Sequence, residues 1–427
     1  MERFTGLIGI AFILGLAFLM SNNRRKINYR LVLSGLALQL AIALFILKVP
    51  FGQKIFSVLA HYITRVLEMS DAGGAFVFGL LVDKQKLTEI FGVGSSFIFI
   101  FNILPTIIFV AVLVSVAYHL GLMQRVVKFF AAIMHRIMRV SGSEALSNVA
   151  SAFVGQVEAQ IMIKPYLSGM TKSELLASMS GSMACIAGGV MAVYIKMGVP
   201  AEYLLAASLM AAPASLVIAK IVYPETEVSE TKGVVTLEVK KSQGNLLEAV
   251  SHGAGDGLKV ALNVMAMLIG FIALIALVDA ILGMAGRALV TFTGIHDGLL
   301  GIKISELSLN QIFGALFSFF AWTMGIPAEE IRTAGSLLGT KMVINEFVAY
   351  SNMSGMIAQN LLSAKAVAIL SFALCGFANF SSIAIQVGGI GELAPQRRSD
   401  LARLGFRALI CGTLASYLSA TVAGILF

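Results

Sequence analysis

The chain has 427 residues, of which 58% are hydrophobic and 13% are charged, and its mean hydropathy is +0.89. Soluble domains are about 45–50% apolar and about 25% charged, so this composition excludes an ordinary soluble enzyme. Lysine and arginine (31) outnumber aspartate and glutamate (23), giving a net charge of +8. In a membrane protein such an excess is typical of cytoplasmic loops, and we expect a lipid bilayer rather than nucleic acid as the partner of these residues.

The first apolar run, residues 4–20, is followed by Arg24, Arg25 and Lys26. A secretory signal would carry its positive charge before the apolar run, so we expect a retained membrane span. The basic residues place the turn after this span in the cytoplasm. The amino terminus is therefore expected on the periplasmic side of a bacterial inner membrane.

Further long apolar runs predict spans, and amphipathic runs predict helices at the membrane surface. Because the apolar runs do not alternate in polarity as barrel strands do, the predicted fold is an all-α polytopic membrane protein with about eight transmembrane helices. After the first span, spans are expected at residues 29–47, 97–118, 175–197, 203–221, 249–282, 367–385 and 402–426, interfacial helices at 54–69 and 125–140, a helix too short for a crossing at 312–324, and connections at 71–95 and 224–248.

Two segments, residues 141–166 and 333–350, are neither clean spans nor clean loops. Both mix small residues with polar and charged ones, and backbone that is not helical cannot face lipid. We therefore expect two re-entrant helical hairpins. Each is followed by a span rich in small residues, so the two halves of the chain follow one plan. An inverted repeat of this kind is typical of secondary transporters.

Each predicted hairpin contains a glutamate, Glu158 or Glu346. A carboxylate inside a bilayer is costly, and such residues usually have a function. Near Glu158, the amide of Gln156 offers a donor and an acceptor suited to the edge of a nucleobase or another amide-like group. After Glu346, Asn379 and Ser382 are three residues apart and share one helix face. A carboxylate, an amide and a hydroxyl together can hold the vicinal hydroxyls of a sugar.

Other signals for chemistry are weak. Phe377 can lie against a flat ring or serve only to pack its helix. The serine and lysine spacing at Ser229 and Lys232 matches that of some hydrolases, but it lies in a charged loop. The five histidines and three cysteines lack the spacing of metal ligands or of a disulfide framework. We therefore expect no enzyme and no cofactor.

Three motifs resemble those of the concentrative nucleoside transporter family: GQVEA at residues 155–159, NEFVAY at 345–350 and CGFANFSS at 375–382. The resemblance covers nearly the whole chain. It implies a homotrimer in which a mobile transport domain moves like an elevator against a scaffold, importing nucleosides by symport with sodium or protons. It also implies substrate-binding roles for Gln156, Glu158 and Phe377 at the base and for Glu346, Asn379 and Ser382 at the ribose.

The first motif departs from the family pattern Gly-Gln-Thr-Glu-Ala-Pro, because Val157 replaces the threonine and Gln160 replaces the proline. Valine lacks the hydroxyl, and a buried partner left without its hydrogen bond costs about 1–3 kcal/mol. The choice between purines and pyrimidines therefore stays open, as does an alternative solute, a modified nucleoside or another base-bearing compound. The alternative from another class is a membrane-embedded nucleoside hydrolase.

The resemblance also implies a cation site, whose matching positions are Ser151, Val154, Cys185 and Ile186. Sulfur is a poor ligand for a hard cation such as Na⁺, and serine reaches less far than the family's asparagine. We therefore favour H⁺ over Na⁺ as the coupling ion. Glu158 or Glu346 would carry the proton, since protonation removes the penalty for burying the charge.

These elements group into a scaffold and a transport domain, with both hairpins in the transport domain. The expected units, in chain order, are spans 1 and 2 with an interfacial helix (1–70), the third span and amphipathic helix (71–140), the first hairpin and following spans (141–223), a polar loop (224–248), a scaffold span with connections (249–325), the second hairpin and substrate-binding span (326–400), and a final scaffold span (401–427).

Overall fold

The computed structural model describes residues 2–91, 98–231, 244–293 and 303–427, and within these ranges the chain contains helices and no strand. The predicted all-α class is confirmed. Parts of three predicted segments lie outside the described residues: the end of the 71–95 connection, the start of the third span and the middle of the 224–248 loop. The described helices are α1 (Glu2–Leu19), α2 (Tyr29–Leu47), α3 (Pro50–Glu68), α4 (Ser70–Phe78), α5 (Lys84–Phe91), α6 (Phe99–His119), α7 (Leu122–Met138), α8 (Gly142–Ser151), α9 (Glu158–Ile161), α10 (Lys172–Ala184), α11 (Gly188–Lys196), α12 (Ala201–Val222), α13 (Leu246–Thr293), α14 (Leu309–Thr323), α15 (Ile331–Val343), α16 (Glu346–Ala358), α17 (Ala364–Ala373), α18 (Phe380–Leu393) and α19 (Arg398–Leu426).

Several of these helices are long and apolar enough to cross a bilayer. In the described part of the chain six meet this criterion by length and composition, and α1 and α17 contain shorter apolar helices. The six are Tyr29–Leu47, Ile100–His119, Lys172–Lys196, Ala201–Val222, Leu246–Phe292 and Pro395–Leu426. The molecule therefore has the helices of a polytopic membrane protein.

The prediction that residues 71–95 only connect other elements was wrong, because α4 and α5 lie there. The glycines of α4 suggested a loop, yet one of them, Gly74, lets the helix approach α6 closely. A Cβ added at Gly74 would lie 3.1 Å from the ring of Pro105. The hydroxyl of Ser70 also lies 2.9 Å from that of Thr106. Packing against α6 thus overrides the low helix propensity of glycine.

Two of the predicted spans, 175–197 and 367–385, are interrupted. The first is divided into α10 and α11 by residues 185–187, and the second into α17 and α18 by residues 374–379. The two interruptions meet, since the amide of Phe377 donates to the carbonyl of Cys185 at 3.3 Å. At Gly376, where φ is +120°, an added Cβ would lie only 2.6 Å from the carbonyl oxygen of Ala184. Glycine is therefore required at the crossing.

The centre of the fold is formed by α12 and α19, which pack against each other and against α10 and α17. In contrast, the apolar stretch of α13 is exposed. This long helix packs against α6, where Gly253 and Gly257 bring the two backbones together. A Cβ added at Gly257 would lie 2.7 Å from the Cα of Ile108, which is the close approach expected of small residues spaced four apart in membrane helices.

Candidate functional site

The first polar segment, residues 141–170, consists of α8, a turn and the short α9. A capping box fixes the start of α8, in which the hydroxyl of Ser141 accepts from the amide of Glu144 and the Glu144 carboxylate accepts from the amide of Ser141. At the far end the chain reverses at Gly155, where φ is +126°. A Cβ there would lie 2.5 Å from a carboxylate oxygen of Glu158. Only glycine lets the backbone fold this closely over that carboxylate.

A cavity of about 480 Å³ lies beside this turn, within the usual range of ligand-binding pockets. On one side it is lined by Gln156, Val157 and Glu158, and Phe377 contributes from the interruption between α17 and α18. On the other side it is lined by residues of α6 and α13, among them Tyr118, His252 and Asp256. The sequence analysis did not single out this second wall.

The second polar segment, residues 331–358, contains α15 and α16. Asn345 caps α16, its side-chain oxygen accepting from the amide of Val348 at 2.9 Å. Glu346 is the first residue of α16, where a helix N-terminus favours a carboxylate. The hydroxyl of Tyr194 donates to one of its oxygens at 3.3 Å, and the amide of Asn379 donates to the other at 3.0 Å. The Glu346 carboxylate is thus held by two donors while only 5% exposed.

Asn379 connects this carboxylate to α18. While its amide nitrogen donates to Glu346, its side-chain oxygen accepts from the backbone amide of Ser382 at 3.0 Å and so caps α18. Asn379 and Ser382 are 3% and 1% exposed. One amide therefore both starts a helix and orients the buried carboxylate.

The predicted substrate-binding residues fall into two groups. Gln156, Val157, Glu158 and Phe377 line the cavity, whereas Glu346, Asn379 and Ser382 form the buried cluster behind it. The two groups are linked through α18, because the amide of Gln386 lies 3.5 Å from the side-chain oxygen of Gln156. Phe347, the neighbour of Glu346, also reaches the cavity wall.

Sequence reasoning assigned no role to Tyr194 or Lys341. Tyr194 lies in an apolar run and gives no signal of its own. The ammonium group of Lys341 is fully buried and donates to the carbonyls of Ala373 at 2.8 Å and Cys375 at 3.3 Å. A positive charge at the carbonyl end of α17 is favourable. The lysine therefore stabilises the interruption that carries Phe377 and Asn379.

The four residues of the predicted cation site are all buried. The hydroxyl of Ser151 donates to the carbonyl of Ser147 at 2.8 Å and lies 2.9 Å from the hydroxyl of Ser182. The carbonyl of Cys185 accepts from Phe377, as described above. Val154 and Ile186 have only backbone groups to offer. In the described part of the chain no three histidine, cysteine, aspartate or glutamate side chains are grouped as metal ligands.

A buried ion pair lies at the base of the first polar segment. The ammonium of Lys220 is 2.7 Å from the carboxylate of Glu144, and the two side chains are 5% and 4% exposed. Lys220 also donates to Ser173 at 2.9 Å. The described start of the predicted 224–248 loop packs here as well, since Thr231 accepts from the amide of Gly142 through its carbonyl. This ion pair joins α8 to α12.

Comparisons with known proteins cover the whole chain. Family models described as "Na+ dependent nucleoside transporter" match residues 8–81 with the N-terminal part and 203–424 with the C-terminal part, and a "Nucleoside recognition" model matches 100–201. An uncharacterized transporter of Haemophilus influenzae is 43% identical over 100% of this chain and 98% of its own. The nucleoside permease NupC of Helicobacter pylori is 38% identical over 98% and 96%. The structure of CNTnw in an inward-facing substrate-bound state has a TM-score of 0.91 at 40% identity, covering 100% and 98%.

Proposed function

The chain belongs to the Na⁺ dependent nucleoside transporter family, and from this premise we propose that it imports nucleosides by cation-coupled symport across a bacterial inner membrane. The resemblance of the three motifs is thereby confirmed, and the chain is a transporter rather than an enzyme. The proposed substrate is supported by the cavity beside Gln156 and Glu158, whose lining also includes Phe347, the sequence neighbour of Glu346.

The chemistry of a nucleoside matches the two groups of residues. A nucleobase edge presents donors and acceptors in a plane, which suits the amide of Gln156 and the carboxylate of Glu158. Ribose presents vicinal hydroxyls, and we propose that they donate to the Glu346 carboxylate that Tyr194 and Asn379 hold in place. Phe377 would lie against the base. Ser382, on the same helix face as Asn379, would complete the ribose contacts.

Val157 supports a second proposal on the choice of base. Its methyl groups lie against α18, where a Cβ added at Gly389 would be 2.8 Å from one of them. This position therefore supplies an apolar contact and no hydroxyl to the cavity. We propose two candidate solutes. One is a common nucleoside that binds without a hydrogen bond to residue 157, and the other is a modified nucleoside whose base is less polar where it contacts Val157.

Competition separates these solutes. Unlabelled nucleosides are added one at a time against labelled uridine in proteoliposomes, and we expect at least one common nucleoside to compete. If labelled uridine itself is not taken up, a modified nucleoside or another base-bearing compound is proposed as the substrate instead. Recovery of chemically unchanged solute inside the vesicles is expected of a transporter, whereas free base and ribose would contradict the assignment.

We further propose that the coupling ion is H⁺. The hydroxyl of Ser151 is engaged by Ser147 and Ser182, and the Cys185 thiol is a soft ligand. This leaves backbone carbonyls as the main groups for Na⁺. The carboxylates remain as proton carriers: Glu158 is exposed at the cavity and Glu346 is buried. Replacing Glu158 with glutamine should abolish uphill uptake and retain part of the exchange activity, and unaltered pH dependence in that variant would contradict this role.

The architecture proposed for transport rests on a repeated order of elements. A polar helix pair, an interrupted span and a buried helix occur as α8/α9, α10/α11 and α12, and again as α15/α16, α17/α18 and α19. We propose that the two polar pairs are re-entrant hairpins related by an inverted repeat, within eight spans. Movement of the two polar pairs and the interrupted spans against a scaffold that includes α13 and α19, in a homotrimer with periplasmic amino termini, would carry the cavity across the bilayer.

A further inference from the structure

A cluster of five polar side chains lies beneath the turn that carries Gln156 and Glu158. It contains Ser147 and Ser151 of α8, Ser178 and Ser182 of α10, and Gln160 of α9, and each of the five is at most 1% exposed. The serines of each helix are four residues apart and therefore share a face. Polar groups buried this deeply must be hydrogen-bonded to one another.

Gln160 is the centre of this cluster because both ends of its amide are used. Its oxygen accepts from the hydroxyl of Ser178 at 2.7 Å. Its nitrogen donates to Ser147 at 3.0 Å and to Ser182 at 2.8 Å. Ser182 in turn lies 2.9 Å from Ser151. One side chain of α9 thus ties together α8 and α10.

Outside this cluster, the turn is held by the Gly188 amide, which donates to the carbonyl of Phe153 at 3.0 Å, and by the Gln156–Gln386 contact. The helix that carries Glu158, α9, is four residues long, and a single turn of helix is not stable by itself. Gln160 lies two residues after Glu158 in the same helix. The orientation of Glu158, and of Gln156 before it, therefore depends on where the Gln160 amide is held.

We propose that Gln160 is a positioning residue, whose hydrogen bonds to Ser147, Ser178 and Ser182 hold the turn so that Gln156 and Glu158 face the cavity. This inference rests on the proposed function, in which those two side chains read the substrate. A proline, which the family pattern has at this position, could make none of these bonds. The cluster is therefore a feature of this chain's own sequence.

The test compares two equally buried glutamines. Gln160→Ala removes the proposed anchor, and Gln39→Ala removes a fully buried amide that donates to Ser419 at 3.0 Å between α2 and α19 and not to the turn. Three quantities are measured on each purified variant: the melting temperature, the Kd for a nucleoside, and the rate of amide hydrogen exchange of residues 152–157 without substrate.

Both variants are expected to melt at a lower temperature. Only Gln160→Ala is expected to exchange faster at residues 152–157 and to bind nucleoside about tenfold more weakly, the effect of losing one or two buried hydrogen bonds. Unchanged exchange and affinity in Gln160→Ala, with the same melting shift as Gln39→Ala, would overturn the proposal. Because the exchange measurement needs no substrate, a wild-type protein that binds no nucleoside would refute the proposed function alone.

A second variant tests the same cluster in case Gln160→Ala does not fold. Ser178→Ala removes one bond to the Gln160 oxygen and leaves the two bonds that its nitrogen donates. A smaller loss of affinity, about threefold, with faster exchange at residues 152–157 is expected. Wild-type affinity and exchange in Ser178→Ala would overturn the proposal.

Discussion

Tyr194→Phe deletes a single oxygen atom, and its effect can be calculated from the contacts of that atom. The hydroxyl donates to the Glu346 carboxylate at 3.3 Å, while the ring stacks on Tyr350 with centroids 4.2 Å apart. Phenylalanine keeps the stacking and loses the bond. Hydrogen bonds to charged groups contribute about 1.5–3 kcal/mol, and the length of this one favours the lower value. A loss of about 1.5 kcal/mol corresponds to about a tenfold higher KM for nucleoside.

The assay is uptake of labelled uridine into proteoliposomes, with Tyr350→Phe as the matched control. The Tyr350 hydroxyl donates to the carbonyl of Ser371 at 2.7 Å, and both tyrosines are fully buried. Both variants should therefore lower the melting temperature, but only Tyr194→Phe should raise KM. Because Glu346 is proposed to hold the ribose, 2′,3′-dideoxyuridine should be affected less than uridine. Equal KM values in the two variants would refute the role of Glu346 in substrate binding.

Three further substitutions test the contacts that hold the helices around the candidate site in place. Gly376→Ala should abolish uptake and reduce the yield of folded protein, since the new Cβ would meet the carbonyl of Ala184 at 2.6 Å; wild-type uptake would show that the interrupted helices do not cross as described. Lys220→Met should destabilise the fold by about 3–5 kcal/mol because it leaves the Glu144 carboxylate buried without its partner. The double variant Lys220→Met/Glu144→Gln should regain part of the lost melting temperature. No such recovery would contradict the pairing. Lys341→Met should lower stability by roughly 2 kcal/mol through loss of the bonds at the carbonyl end of α17, and an unchanged melting temperature would contradict that role.

Much of the helical plan could be predicted because a bilayer requires long apolar runs, and these stand out by composition alone. The predicted span at 29–47 matches α2, and the amphipathic patterns at 54–69 and 125–140 both correspond to helices, α3 and α7. The interruptions in two spans could not be predicted. Cys185, Ile186 and Ala187 are apolar and do not by themselves mark the end of a helix. They are extended because of a contact with residues 374–379, distant in sequence, which no local pattern encodes.

Some residues of the candidate site could likewise be predicted from the sequence, and others could not. Glu158 and Glu346 could be found because a carboxylate in an apolar segment is conspicuous and costly. Tyr194 could not, since a tyrosine in an apolar run is ordinary. Gln160 was visible as a departure from the family motif, but its three serine partners become meaningful only once α8, α9 and α10 are packed together. Isolated carboxylates can thus be found in the sequence, whereas partners such as Tyr194 and the serines bonded to Gln160 cannot.

The most direct test of the proposed symport is uptake of labelled uridine and adenosine into proteoliposomes, with a proton gradient and a sodium gradient imposed separately. We expect accumulation above equilibrium when the proton gradient alone is present, and loss of that accumulation in Glu158→Gln. Accumulation driven by sodium alone would contradict proton coupling and show that the carbonyls around Ser151 and Cys185 suffice for a cation. No uptake of either nucleoside under either gradient would contradict import of these common nucleosides and favour a modified nucleoside or another base-bearing compound as the solute.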